Sequence, residues 1–401
     1  MSISPKKKLS SGKELFLSIC LMAGEISSDT VKAMKGDYGE ATVSEKYIYY
    51  FKSKGYLAKI GEGSNYGFIL TRKGYEYAQA KLPHKHNYNI YEYLDSHIYE
   101  TRRREKRRQF SLILYYLYKN GIDITDHSAD IEAIFNNQPV NVVKPFFASL
   151  KELSRSNTRT STAYGTRAFG AIVTPLKLVV IYSSSKAANL LPQVEAAFHT
   201  SLISSLREAA APYCIPNNVE YLFMFKNFDD FADAFSLEGK NNGRASCTYR
   251  CFTQSYLLTK TTYSYIMRKS AYTILDILNP EKVAVIDRLF IEAYSVKPFA
   301  SKGLAQFHVA GHYQDTSIPV FIAWTLSPTI LTSILTYIQT DGFGEDDEVY
   351  ICCFDENEQA LFEVTGQDRK VANHVSTCTL SKKEIDVYLA EEPSAYSDLK
   401  A

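Results

Sequence analysis

Tyr56-Leu-Ala-Lys-Ile60, Gly61-Glu-Gly-Ser-Asn65 and Tyr66-Gly-Phe-Ile-Leu70 together decide how the front of this chain folds. The outer pentapeptides have the alternating or apolar character of strands, and the five residues between them are turn formers, so the stretch reads as a β-hairpin. Immediately before it, Gly55 closes a helix from Glu45 to Lys54, at the position where positive φ is usually needed. Thr42 or Ser44 caps that helix, and Ile48 and Phe51, one turn apart, form its inward face. Further back, Ser28 caps a short helix with Asp29 in its first turn, which carries Val31 and Met34 inward and stops at Gly36. Leu15, Phe16, Ile19, Leu21 and Met22 mark an amphipathic helix between Gly12 and Gly24. Beyond the hairpin, Thr71 caps a helix that opens Arg72-Lys73-Gly74-Tyr75.

Three short helices followed by a hairpin is the order of a winged helix-turn-helix, here over residues 10–82. The string Tyr66-Gly-Phe-Ile-Leu-Thr-Arg-Lys-Gly-Tyr75 resembles the second wing strand and following helix of many bacterial winged-helix regulators. That resemblance implies a third helix lying in the major groove of double-stranded DNA, with the wing on backbone or minor groove. With Ile48 and Phe51 inward, the opposite face of the third helix carries Lys46, Tyr49, Tyr50, Ser53 and Lys54. Lysines suit phosphates, and tyrosines suit phosphate oxygens or thymine methyls. Arg72 and Lys73, just past the wing, extend the cationic set. The third helix has no arginine or glutamine on that face, so base-specific readout is modest. A winged helix used only for protein contact or dimerisation is the alternative.

Charge is distributed in the same sense. Residues 1–110 hold 20 Lys+Arg against 12 Asp+Glu, a balance of +8, and the remaining residues hold 25 against 32, a balance of −7. A basic head on an acidic body grips a polyanion with the head. Part of the excess is concentrated in a basic helical linker region at 88–140, after a polar connection from His84 to Tyr91. There a helix from about Ile90 to Asn120, stopping at Gly121, carries Arg102, Arg103, Arg104, Lys106, Arg107 and Arg108, followed by Phe110, Leu112, Ile113, Leu114, Tyr116 and Leu117. Two readings stand for this cluster: an extension of the phosphate footprint, or a solvated face paired with acidic groups of the body.

The length of 401 residues exceeds one compact core, and 45% hydrophobic with 22% charged residues is a globular composition. An α/β body is expected at 141–385, followed by a polar tail at 386–401. In the body, Ala168–Val173 and Leu178–Tyr182 read as a hairpin, and a helix from about Ala187 to Ala210 leads to the strand Val219–Phe225. A second passage of the same kind runs from Val320–Trp324 through a helix starting near Pro328 to Val349–Phe354. The two passages are either halves of one sheet or a divergent duplication. The expected class is therefore α+β, with a mixed sheet in the body.

A search for chemistry returns mostly exclusions. No run approaches the eighteen or so apolar residues of a membrane span, and Lys6-Lys7-Lys8 leads into an amphipathic segment, so a cytoplasmic protein without membrane attachment is expected. Seven scattered cysteines read as reduced, buried thiols. A restriction-type nuclease needs a carboxylate on one strand and an acidic-x-Lys pair on the next to hold its metal, and the hairpin 168–182 contains no Asp or Glu. Asp229 with Asp230, and Asp355 with Glu356, follow strands but suit helix caps. His308 and His312 have the wrong spacing for a relaxase metal site, and their combination with Cys247 and Cys251 is irregular for zinc. Walker and GxGxxG loops are missing. No catalytic residue, metal ligand or cofactor is assigned.

The order of these features resembles the replication-relaxation family of plasmids and conjugative elements of Gram-positive bacteria. The strings that carry the resemblance are the basic-to-apolar helix Arg102–Tyr118, Thr166-Arg-Ala-Phe-Gly-Ala-Ile-Val-Thr-Pro-Leu-Lys-Leu-Val-Val-Ile-Tyr182 and Ile318-Pro-Val-Phe-Ile-Ala323. The resemblance implies a DNA-binding accessory protein for replication or mobilisation, with a body like a degenerate restriction-endonuclease sheet and a replication or mobilisation protein of the same element as partner. A homodimer would double the phosphate contacts. Rival readings are a metal-dependent endonuclease or nickase, and a protein-interaction scaffold.

Overall fold

A computed structural model describes residues 11–37, 43–82, 101–136, 138, 140–156, 166–183, 192–208, 219–235, 262–298, 307–310, 317–338, 347–365 and 373–391. The chain divides into two compact units, residues 1–131 with 142–148, and residues 132–141 with 149–401. The whole is α+β, with mixed sheets and helices.

The first unit is built around α1 (Ser11–Ala23), whose residues Leu15, Phe16, Leu17, Ile19, Cys20 and Leu21 are buried. A helix apolar on every side is a central one. Gly24, at φ +77°, ends it, and β1 (Ile26–Ser27), α2 (Ser28–Asp37) and α3 (Val43–Ser53) follow. Then come β2 (Leu57–Ile60), a single 3-10 turn at Gly63–Asn65, β3 (Gly67–Leu70) and α4 (Arg72–Lys81). The strands form an antiparallel sheet in the order β1-β3-β2, with Leu57 opposite Leu70, Ile60 opposite Gly67 and Ile26 opposite Phe68. Thr71 caps α4, its Oγ1 accepting from the Gly74 amide at 3.0 Å. Residue 74 must be glycine, because a Cβ there would overlap the Tyr56 carbonyl.

The basic helix α5 (Thr101–Lys119) belongs to this same unit. It packs on α1, α2 and β1, burying Leu112, Ile113, Leu114, Tyr115, Tyr116 and Leu117. Each such side chain contributes roughly 1.5–3 kcal/mol when taken from water, which is why the helix docks on the head instead of standing as a separate linker region. Ser111 lies fully buried in the contact. Its Oγ accepts from the Ser27 amide at 3.2 Å and pairs with Thr30 Oγ1 at 2.8 Å. The expected connection at His84–Tyr91 and the helix start near Ile90 lie outside the described residues. Gly121, at φ +79°, closes α5 as the sequence predicts. The chain continues through α6 (Ser128–Phe135), where it first enters the second unit after Ile131, and β4 (Phe146–Ser149), at whose last residue it leaves the first unit.

The second unit opens with α7 (Leu150–Ser156), then β5 (Gly170–Val173), β6 (Leu178–Ser183), α8 (Pro192–Glu208), β7 (Val219–Phe225), α9 (Phe228–Phe235) and β8 (Thr262–Ile266). It continues through α10 (Ile274–Leu278), α11 (Pro280–Ala293), β9 (Lys297–Pro298), β10 (Phe307–Ala310), β11 (Ser317–Ile322), α12 (Pro328–Ile338), β12 (Val349–Phe354), α13 (Asp355–Thr365), β13 (Val375–Leu380) and α14 (Lys382–Glu391). The two expected strand-helix-strand passages lie in two different sheets. In one, β5 and β6 form an antiparallel hairpin with Val173 opposite Leu178, and β7 and then β8 add in parallel. In the other, β10 and β11 form the hairpin, β12 and then β13 add in parallel, and β9 lies on the outer edge. All seven residues of β7 are buried, as parallel strands covered on both faces are.

The polar stretch from Lys382 is helical as far as Glu391, and the rest of the expected polar tail at 386–401 lies outside the described residues. Ser381 and Glu384 form a reciprocal cap, with the Ser381 amide donating to Glu384 Oε2 at 2.7 Å and the Glu384 amide to Ser381 Oγ at 3.2 Å. Ile385 anchors the helix in the core.

Candidate nucleic-acid interface

The solvent face of α3 is cationic and aromatic. Lys46, Ser53 and Lys54 are exposed, and Tyr49 is 77% exposed, well above the other aromatic side chains of the helix. Opposite them Phe51 is fully buried and stacks on Phe16 with ring centroids 5.8 Å apart. Ile48 is only half-buried. Tyr50 is drawn partly inward, because its ring meets the edge of Phe51 and carries the Lys13 ammonium 4.6 Å above its centroid. Ser53 Oγ donates to the Tyr50 carbonyl at 2.9 Å. Sequence reading missed Lys13, whose partner rings on α3 lie over thirty residues away, and Lys52, which is exposed beside Ser53.

The hairpin stands beside this helix. Lys59 is exposed, with its Nζ 5.0 Å from the Tyr66 ring centroid. Thr71 Oγ1 donates to the Gly55 carbonyl at 2.7 Å, which brings the first turn of α4 next to the end of α3. Lys73 is exposed, with its Nζ 5.5 Å from the Tyr56 ring centroid. Arg72 is equally exposed and bonds Glu76 at 3.3 Å. Below them Tyr56 and Tyr77 stack at 4.3 Å. Burial, with Tyr50 and Tyr56 adding to it, pushes the Tyr77 hydroxyl up to about 12.

The arginines of α5 are placed differently. Arg104 forms an ion pair with Glu25, whose side chain is 0% exposed, through Nε to Oε2 at 3.2 Å and Nη2 to Oε1 at 2.8 Å. The same Nη2 reaches the Ile60 and Asn65 carbonyls at 3.3 and 3.0 Å. Arg107 Nε lies 3.9 Å from Glu25 Oε2, and Arg108 Nη1 donates to Asn65 Oδ1 at 3.3 Å. Arg104, Arg107 and Arg108 thus have partners within the first unit, while Lys106 is exposed. The side chains of Arg102 and Arg103 lie outside the described residues.

In the second unit Lys177 and Glu220 form an ion pair of 2.7 Å, each about 6% exposed. Glu195, fully buried, accepts from the Thr166 hydroxyl at 2.5 Å, the Arg167 amide at 2.8 Å and the Tyr182 hydroxyl at 2.7 Å. Asp229 and Asp230 sit in the first turn of α9, and Asp355 and Glu356 in that of α13. Carboxylates there complement the helix dipole. Among the described residues no group of three or more His, Cys, Asp and Glu is placed to hold a metal ion. Cys247, Cys251 and His312, and the side chain of His308, fall outside the described set. Cys20, Cys352, Cys353 and Cys378 are free and buried. Among the described residues no helix is long and apolar enough to cross a membrane. No family model, curated protein or solved structure matches the chain.

Proposed function

We propose that the first unit is a winged helix that binds double-stranded DNA, with α3 in the major groove and the β2–β3 hairpin as its wing. The observation that carries this reading is the exposed Lys46–Tyr49–Ser53–Lys54 face beside a three-stranded sheet whose hairpin carries the exposed Lys59. Lys46 and Lys54 neutralise phosphates, Tyr49 supplies a phosphate hydrogen bond or an apolar contact to thymine, and Arg72 and Lys73 extend the backbone contact. The protein works as an accessory factor of replication or mobilisation, in the manner of the replication-relaxation proteins that its sequence resembles, in the cytoplasm and as a dimer on its site.

The body fits a non-catalytic, degenerate restriction-endonuclease-like role of recruiting a partner protein. Its sheets twice follow a hairpin with parallel strands, and β5, β6, β10 and β11 contain no Asp or Glu. A metal-activated nuclease needs carboxylates there. The reading is tested by gel shift at increasing salt. Replacing Lys46, Tyr50 and Lys54 together by Ala should weaken binding and reduce the salt slope by about 1.8, two phosphates at roughly 0.9 each. Unchanged affinity refutes the α3 face, and absence of any salt-dependent binding by the wild type refutes the DNA assignment.

A further inference from the structure

We infer that Arg104 is a positioning residue that fixes the wing loop on α5 and the start of β1, and that it does not contact phosphate. The inference rests on the DNA-binding reading above. Ile60 is the last residue of β2 and Asn65 the last of the 3-10 turn, so the two carbonyls bonded by Arg104 Nη2 are the two ends of the wing loop. The same guanidinium is locked on its other edge by both oxygens of Glu25, at the start of β1. One planar fork therefore joins α5, the β1 end and both ends of the wing loop. Lysine, a single ammonium, cannot reproduce the two-point pairing with Glu25 and the reach to both wing carbonyls together.

The surrounding chain is shaped to this fork. Gly61 has φ +78°, and a Cβ there would stand 2.6 Å from Arg104 Nη2 and 2.7 Å from the Asn65 carbonyl. At Gly67 a Cβ would overlap the Glu25 carboxylate. Arg108 adds a bond to the Asn65 side chain from one helical turn further along α5. The Arg104 side chain is 15% exposed, which leaves little of it to meet a phosphate. A loop so pinned binds without first having to be ordered, and preorganisation of this kind raises affinity without adding a contact.

The test uses the full chain, wild type and Arg104→Lys and Arg104→Ala variants. Anisotropy of a mixed-sequence fluorescein-labelled duplex is measured across a potassium chloride series, and hydrogen exchange of residues 61–66 is measured without DNA. The expected result is binding weaker by about tenfold in both variants, with the salt slope of the wild type and faster exchange at 61–66. A slope lower by about 0.9 for Arg104→Ala, restored by Arg104→Lys, marks a phosphate contact and overturns the inference. Unchanged exchange at 61–66 overturns it equally. If Arg104→Ala does not fold, Arg104→Lys, which keeps the charge and hence the slope, decides by the other two readouts: binding about tenfold weaker with faster exchange at 61–66 upholds the inference, and wild-type affinity with unchanged exchange overturns it. Should the wild type show no salt-dependent affinity, the DNA reading fails, while the exchange data still decide what Arg104 does to the wing.

Discussion

The α3 and α5 clusters are both conspicuously basic in sequence, yet they meet different surroundings. On α3, Lys46 and Lys54 stand exposed, and the one acidic neighbour in its first turn, Glu45, is paired with Lys35. On α5, Arg104 and Arg107 converge on a single buried carboxylate, and Arg108 holds a wing asparagine. Density of positive charge along a helix therefore does not identify a polyanion surface. What decides is the presence of a carboxylate and carbonyl acceptors from other elements. Flexible lysines suit a mobile counterion-like contact, whereas the rigid arginine fork suits a fixed internal joint.

The sharpest way to break this contrast is at Glu25. Glu25→Ala leaves the Arg104 guanidinium without its buried counter-charge and should cost about 3 kcal/mol of stability in the first unit, read as a shifted urea midpoint for that unit's transition. A loss below about 1 kcal/mol would return Arg104 to the class of surface cations. On the α3 side, Lys46→Ala with Lys54→Ala should leave the midpoint within about 0.5 kcal/mol while weakening duplex binding by roughly tenfold and lowering the salt slope by about 1.8. Destabilisation without a change in slope would reverse the assignment of the two clusters.

A smaller effect tests whether an internal ion cluster of the first unit behaves like the α5 joint. Burial works against charge on His127, but hydrogen bonds to Asp123 and Asp130 prevail and raise its pKa above 6.5. The His127 hydrogen bond, aided by the Thr125 amide and hydroxyl, holds Asp123 well below the usual carboxylate range despite its burial. The His127 contribution is complete below about pH 6.5 and is lost as pH rises through its raised folded value, while that of Asp123 is present above about pH 3.9 and is lost as pH falls through its lowered one. Discounted for the partial exposure of both carboxylates, His127→Ala should cost about 1 kcal/mol at pH 6 and less at pH 9. Equal losses at the two pH values would show that the ring is held by its stacking on Phe146, at 4.1 Å, and not by charge. Least of all, Arg72→Ala should change stability by no more than about 0.5 kcal/mol, since its partner Glu76 is an exposed neighbour one turn away.

Local chemistry was readable wherever it was written within a few residues. Gly55 at φ +71°, Thr71 as a cap and Gly121 as a helix stop all stand where turn and capping preferences put them. The hairpin from Leu57 to Leu70 follows from its own alternation. Long-range choices were not readable. Glu25 lies 79 positions from Arg104, and nothing near either residue announces the other. The apolar half of α5 was plain, but which surface it would cover depends on the packing of α1, α2 and β1. The helix at Lys382–Glu391 was locally marked by Ser381 and Glu384, and its polar composition masked that signal. Tyr50 was assigned outward by periodicity, which takes no account of a lysine from α1 arriving over its ring.

In the second unit, α9 follows β7 and α13 follows β12, the corresponding strands of two sheets that share one order, and these two helices pack against each other. Like meets like in this way across the dyad of a homodimer. Here both partners are drawn from one polypeptide, so the pairing is intramolecular and holds at any dilution, where a two-chain dimer would come apart.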